Sequence, residues 1–254
     1  MTSPKHVLID PLSATSLIVE QRVNGLSLGT ATGFCVTANE KAFLVTNWHV
    51  VSGRNPDTSQ PLSPTAGIPD ELLIAHHAAG KLGTWVVKPE ALLDSQGQRR
   101  WLEHPTGKAV DVVALPLDNL GPDVTTYPLE LALAEVDALV LVAMPVSIVG
   151  FPFGLTAGGA FPIWKTGHIA SDPDLDYDGK PCFLIDATTR GGMSGAPVIL
   201  RLYGGYATRS AAHVLGGGPM TKFLGIYSGR LHDQAEIGRV WRPDVIADIL
   251  AAVP

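Results

Sequence analysis

The chain has 254 residues, 46% apolar and 17% charged, a balance that excludes intrinsic disorder and leaves room for one large domain or two small ones. A net charge of −6 supplies no basic surplus to neutralise phosphates, so no nucleic-acid partner is expected. The 27 glycines and 20 prolines follow no collagen-like period and suit many short strands joined by turns better than long helices.

Taken in chain order, the first 30 residues carry Asp10 and Glu20 and hold no continuous apolar run of export-signal length. Short apolar runs then predict strands over Ser16–Val23, Thr32–Thr37, Ala42–Thr46, Leu72–His76, Trp85–Lys88 and Val110–Leu115. Residues 53–70 are rich in Pro, Ser and Thr and read as a long surface loop; residues 95–107 read as a second, more basic one. The acidic stretch 118–137 is the best candidate for a connection between two halves. Residues 138–164 carry no charge and are long enough to span a bilayer, but Pro145, Pro152 and Pro162 break any helix there, so no membrane partner is expected. Further strands are predicted over Leu139–Val142, Ile148–Phe151, Ile163–Ile169, Cys182–Ile185, Pro197–Leu202 and Phe223–Ser228. Only the tail reads as helical: Pro243 suits a first turn, and Val245, Ile246, Ile249, Leu250 and Val253 then share one face, expected to pack on the preceding sheet. Cys35 and Cys182 cannot build a disulfide framework and read as buried thiols that fit a reducing compartment or plain burial; with no export signal visible, a cytoplasmic location is expected.

Three passages carry chemistry. His49 closes the apolar run Leu44-Val45-Thr46-Asn47-Trp48-His49, Asp111 opens Asp111-Val112-Val113-Ala114-Leu115, and Ser194 lies within Gly191-Gly192-Met193-Ser194-Gly195-Ala196. Taken singly, each is more often structural: a satisfied histidine, a turn carboxylate, a tight glycine turn. Together they make chemical sense. A serine hydroxyl needs a base to take its proton, histidine titrates near working pH, and a carboxylate fixes the imidazole tautomer. A glycine turn can aim the N–H groups of Gly192 and Ser194 at a developing oxyanion. The other histidines form no His-Glu-x-x-His or Cys/His cluster, so no metal and no cofactor is expected.

Thr46-Asn47-Trp48-His49-Val50-Val51, Asp111-Val112-Val113-Ala114-Leu115, Asp186-Ala187 followed by Gly192-Met193-Ser194-Gly195-Ala196-Pro197, and Val149-Gly150-Phe151-Pro152-Phe153-Gly154-Leu155 stand in the order of one family. The chain resembles the chymotrypsin-like serine peptidases, and within them the bacterial HtrA/Deg-type branch, over roughly residues 15–235. The resemblance implies an all-β fold of two antiparallel β-barrels with a C-terminal α-helix. Residues 1–120 would form the barrel carrying His49 and Asp111, residues 121–137 a linker, and residues 138–254 the barrel carrying Ser194 together with the helix. It implies a serine endopeptidase acting on a protein or peptide substrate through an acyl-enzyme. Thr188, Thr189, Arg190 and Gly191 would form one wall of the substrate pocket, and Tyr227, Ser228, Gly229 and Arg230 the other.

The chain also departs from the pattern. Met193 stands where trypsin-type zymogens carry an aspartate, so activation by N-terminal cleavage is not expected. With only 19 residues after 235, no PDZ domain is expected. No acidic residue marks a preference for Lys or Arg; a small or medium aliphatic residue is favoured, with Arg190 or Arg230 leaving an acidic residue as the alternative. An α/β-hydrolase is excluded, because no Asp or Glu lies between Ser194 and His232. Two other readings stay open: a binding or scaffold module with a peptidase fold, and a latent peptidase opened by a regulatory protein partner.

Overall fold

Alternating burial along Ser16–Val23, with Leu17 and Val19 inside, marks the strand that organises the first half. The structure is a computed structural model that describes residues 7–232, 234–251 and 253. Its first half contains β1 (Ser16–Val23), β2 (Leu26–Ala38), β3 (Lys41–Thr46), the single-turn helix α1 (Trp48–Ser52), β4 (Glu71–Ala78), β5 (Lys81–Ala91), β6 (Leu102–Glu103), β7 (Val113–Pro116) and β8 (Val124–Thr125). They form one antiparallel sheet in the order β5-β4-β1-β2-β3-β7-β6, with β8 added to β4.

The second half contains β9 (Pro145–Gly150), β10 (Ile163–Ile169), β11 (Cys182–Asp186), β12 (Pro197–Leu202), β13 (Gly205–Ala207), β14 (His213–Leu215), β15 (Met220–Arg230), β16 (Ile237–Trp241) and α2 (Asp244–Leu250). Six of these strands close a barrel in the order β10-β11-β16-β15-β12-β9, while β13 and β14 make a separate hairpin. The expected all-β architecture with a C-terminal helix is present. Hydrogen bonding closes the second half into a barrel, whereas the edges of the first sheet, β5 and β6, do not pair with each other. Between the halves, Val124 and Thr125 join the first sheet, and the turn Leu131–Glu135 lies against β15, where Lys222 Nζ donates to the Val136 carbonyl at 2.6 Å.

One expectation is corrected. Leu139–Val142 is not a strand: Ala143 has φ 67°, Leu141 and Val142 are exposed, and only Val140 is buried in the barrel core. That run is apolar because one residue anchors it, not because a ladder buries it. The tail helix buries Val245, Ile246 and Ile249 in a cluster that takes in Ile199, Phe223, Ile226 and Trp241 of the preceding barrel, as expected, and it also packs on β6 and β7 of the first sheet. Among the described residues, no helix is long and apolar enough to cross a membrane.

A core shared by both halves fixes the groove between them. Phe34, Val36, Phe43 and Val45 of β2 and β3 pack with Ile199, Phe223, Ile226 and Trp241 of the barrel and with α2. The rings of Phe34 and Phe223 meet edge to face with centroids 5.7 Å apart. Cys35 and Cys182 are buried and free, and burial pushes their thiols up to about 12 and about 11, so neither is a ready nucleophile.

The buried His76 on β4 adds a pH dependence. Its Nε2 has no partner among the described residues, and burial first, then the neighbouring His77 and Lys88 charges, lowers its pKa from 6.5 to about 4. The folded chain therefore holds His76 neutral, while the unfolded chain takes up a proton as pH falls through 6.5. Stability is fully present above pH 6.5 and falls between there and pH 4, by roughly 3 kcal/mol at 1.36 kcal/mol per pKa unit. Denaturant titrations at pH 7 and pH 4 check this: His76→Leu should lose about that much less on acidification than the parent chain, and an equal loss would remove His76 as the cause.

Candidate active site

His49 is placed by a short local programme. β3 ends at Thr46, Asn47 turns the chain into α1, and buried Val50 and Val51 hold that turn in a cluster with Leu17, Leu44 and Leu115 of the first sheet. Gly53, at φ 64°, ends the helix in the left-handed conformation and returns its N–H to the His49 carbonyl. The Asn47 side chain does not cap the helix. Its Nδ2 donates instead to the Asp111 carbonyl at 2.7 Å, tying the two segments together.

Asp111 lies just ahead of β7 rather than within a strand, held between buried Val110 and Val112. Its carboxylate is fully buried and faces three donors. Oδ1 accepts the His49 backbone N–H at 2.8 Å, and Oδ2 lies 2.7 Å from His49 Nδ1 and accepts the Ser228 hydroxyl at 2.6 Å. An ionised carboxylate only accepts, so the imidazole proton belongs on Nδ1 and the Nε2 lone pair is left available.

Ser194 sits in a turn that the first half pins from outside. Thr32, buried on β2, donates its N–H to the Ser194 carbonyl at 2.8 Å and its hydroxyl to the Gly192 carbonyl at 2.7 Å. The Gly195 N–H reaches the Tyr227 carbonyl at 2.9 Å. Two glycines are obligatory here. Gly192 (φ 93°) and Gly195 (φ 85°) are left-handed, and a Cβ would overlap the Phe151 carbonyl oxygen at the first and the Thr32 carbonyl oxygen at the second. Within this web the N–H groups of Gly192 and Ser194 have no partner among the described residues, so two donors flank the serine.

His49, Asp111, Ser194, Ser228, Gly229 and Arg230 line one cavity of about 210 Å³, together with Asn55, Pro56, Asp57 and Leu62 of the 53–70 loop. Among the described residues no hydrogen bond joins Ser194 Oγ to His49, a bond that tightens when substrate binds. Thr188, Thr189, Arg190 and Gly191 do not line this cavity. Thr188 and Gly191 are exposed, the Thr189 hydroxyl is bonded to the Tyr227 phenol, and Arg190 Nη1 donates to the Thr189 carbonyl at 2.6 Å and pairs with Glu236 at 3.3 Å. Ser228, read as pocket wall, turns its hydroxyl to Asp111. Thr32 and Asn47 escaped the sequence reading because their partners lie far along the chain and no motif marks them.

The family model described as the trypsin-like peptidase domain matches residues 31–204. Among solved structures, the Rv3671c protease from M. tuberculosis in its active form is 18% identical, with a TM-score of 0.50 over 95% of this chain and 82% of that one. The serine endoprotease from Yersinia pestis is 12% identical, with a TM-score of 0.50 over 97% of this chain and 67% of that one. At these identities the likeness is one of fold. No curated protein matches the sequence.

Proposed function

The chain belongs to the trypsin-like peptidase domain family, and on that premise we propose that it is a serine endopeptidase with Ser194 as nucleophile, His49 as general base and Asp111 as orienting carboxylate. The observation that carries the reading is the short His49 Nδ1–Asp111 contact of 2.7 Å opening onto the cavity that also holds Ser194. The division of labour follows the known Ser-His-Asp template.

A peptide lies extended along Ser228–Arg230, pairing with strand backbone, so that a scissile carbonyl meets Ser194 Oγ. His49 Nε2 takes the hydroxyl proton as the oxygen attacks, and Asp111 stabilises the imidazolium. The oxyanion draws on the N–H groups of Gly192 and Ser194, which have no partner among the described residues. His49 returns its proton to the leaving amine, and water, activated by the same imidazole, hydrolyses the ester on Ser194. Casein hydrolysis and labelling by a fluorophosphonate test this reading together: the chain should do both, and failure at both would overturn it.

A second reading has one observation in its favour. The 53–70 loop forms part of the cavity wall, and Asp57 on it pairs with Lys180 at 2.7 Å and with Arg239 at 3.4 Å across the groove. Burial raises the Asp57 pKa, and the two cations more than offset it, holding the carboxyl below its ordinary value. In this reading the loop narrows the groove until a regulatory protein displaces it. A labelling rate that rises on adding cell extract supports the latent form, and an equal rate supports the open enzyme.

A further inference from the structure

We propose that Tyr227 fills the side-chain pocket beside Ser194, so that the residue contributing the scissile carbonyl must be small: glycine, alanine or serine. The proposal rests on the serine-peptidase reading above and specifies its substrate class.

Tyr227 is tied directly to the nucleophile turn. Its carbonyl accepts the Gly195 N–H and its own N–H donates to the Ala196 carbonyl, both at 2.9 Å. The next residue, Ser228, faces Asp111, while the Tyr227 side chain lies in the barrel core cluster that includes Met193 and Ala196 of the nucleophile turn. There it bonds to Thr189, so it lies between the segment 188–191 and the end of β15, the two segments that the family resemblance makes the pocket walls.

The phenol is enclosed there. Tyr227 is 2% exposed, and its hydroxyl is bonded to the Thr189 hydroxyl, itself 1% exposed, so one hydrogen bond spans the two walls. On its flank the ring lies against Gly238, where any Cβ would overlap Cε2; the glycine makes room for the ring. Burial pushes the phenol up to about 12, which keeps it neutral and able to donate to Thr189. The cavity at Ser194 is consistent with this. It runs toward Asn55, Leu62 and Arg239 and does not reach the segment 188–191.

A filled pocket discriminates by size, at roughly 10–200-fold per methylene group. Cleavage of a peptide library by the parent chain, by Tyr227→Ala and by Tyr227→Phe tests the proposal, with fluorophosphonate labelling run alongside. The parent should cleave after Gly, Ala or Ser at least ~100-fold better than after Leu or Phe. Tyr227→Ala should raise kcat/KM after Leu or Phe at least ~10-fold relative to Ala, while Tyr227→Phe, which keeps the ring, should retain the small-residue preference. Should Tyr227→Ala fail to fold, the parent profile still decides: a labelled parent that cleaves after large residues as readily as after small ones overturns the role of Tyr227 alone. A folded, labelled Tyr227→Ala with an unchanged profile does the same. A parent that is neither labelled nor proteolytic overturns the serine-peptidase reading, and the pocket proposal falls with it.

Discussion

Ser194→Ala should lower peptide hydrolysis by about 10⁶-fold in kcat and remove fluorophosphonate labelling altogether, the scale found when the nucleophile of a serine-peptidase triad is deleted. The change is clean because the Ser194 hydroxyl holds no part of the fold together: the turn is secured through the Ser194 and Gly192 carbonyls on Thr32 and the Gly195 N–H on Tyr227. Alanine keeps those backbone bonds and both flanking N–H donors. Stability should therefore stay within about 0.5 kcal/mol, as for substitutions that break no packed or hydrogen-bonded feature. Kinetics with a peptide substrate, beside a denaturant titration, check both halves. Retained turnover would remove Ser194 from the mechanism, and lost turnover with lost stability would mean that the turn itself had been disturbed.

Asp111→Asn should cost about 10⁴-fold in kcat, the drop known for the matching change in a Ser-His-Asp triad. The cause is visible in the donor set. The two Asp111 oxygens receive the His49 N–H, the His49 ring and the Ser228 hydroxyl, and an amide can accept on one side only. Turned one way, its NH₂ group faces His49 Nδ1, moves the ring proton to Nε2 and leaves no base for Ser194. Turned the other, it opposes the His49 N–H. Either way a buried donor loses its acceptor, so this variant, unlike Ser194→Ala, should also lose roughly 1–3 kcal/mol of stability. A variant with unimpaired turnover would show that the carboxylate is structural only.

Much of the fold was legible because local pattern and tertiary burial agree. Ser16–Val23, Ile163–Ile169 and Pro197–Leu202 are strands with the bounds their apolar runs suggest. The reading failed where burial came from a single anchor, as at Val140, and where a strand is short and interrupted by polar residues, as at Ile237–Trp241, whose Gly238 and Arg239 hid the ladder. The tail helix was readable from its stripe, but its docking on β6 and β7 depends on a chain path that no local signal encodes.

The candidate site divides in the same way. His49, Asp111 and Ser194 each stand in a recognisable run, and the structure gathers them at one cavity. What surrounds them was not readable. Thr32 acts on a glycine carbonyl 160 residues away, and Asn47 spends its amide on a backbone oxygen rather than on the helix it precedes. Tyr227 was readable as a wall residue, but only packing against Gly238 and Thr189 gives its ring a place to lie.

The central claim is that His49 activates Ser194. The most direct measurement is to treat the chain with a fluorophosphonate, digest it, and locate the adduct by mass spectrometry in the parent and in His49→Ala. The account predicts a single adduct on Ser194 in the parent and none on the same timescale in His49→Ala. An adduct on another residue, or equal labelling of Ser194 without the imidazole, would contradict it.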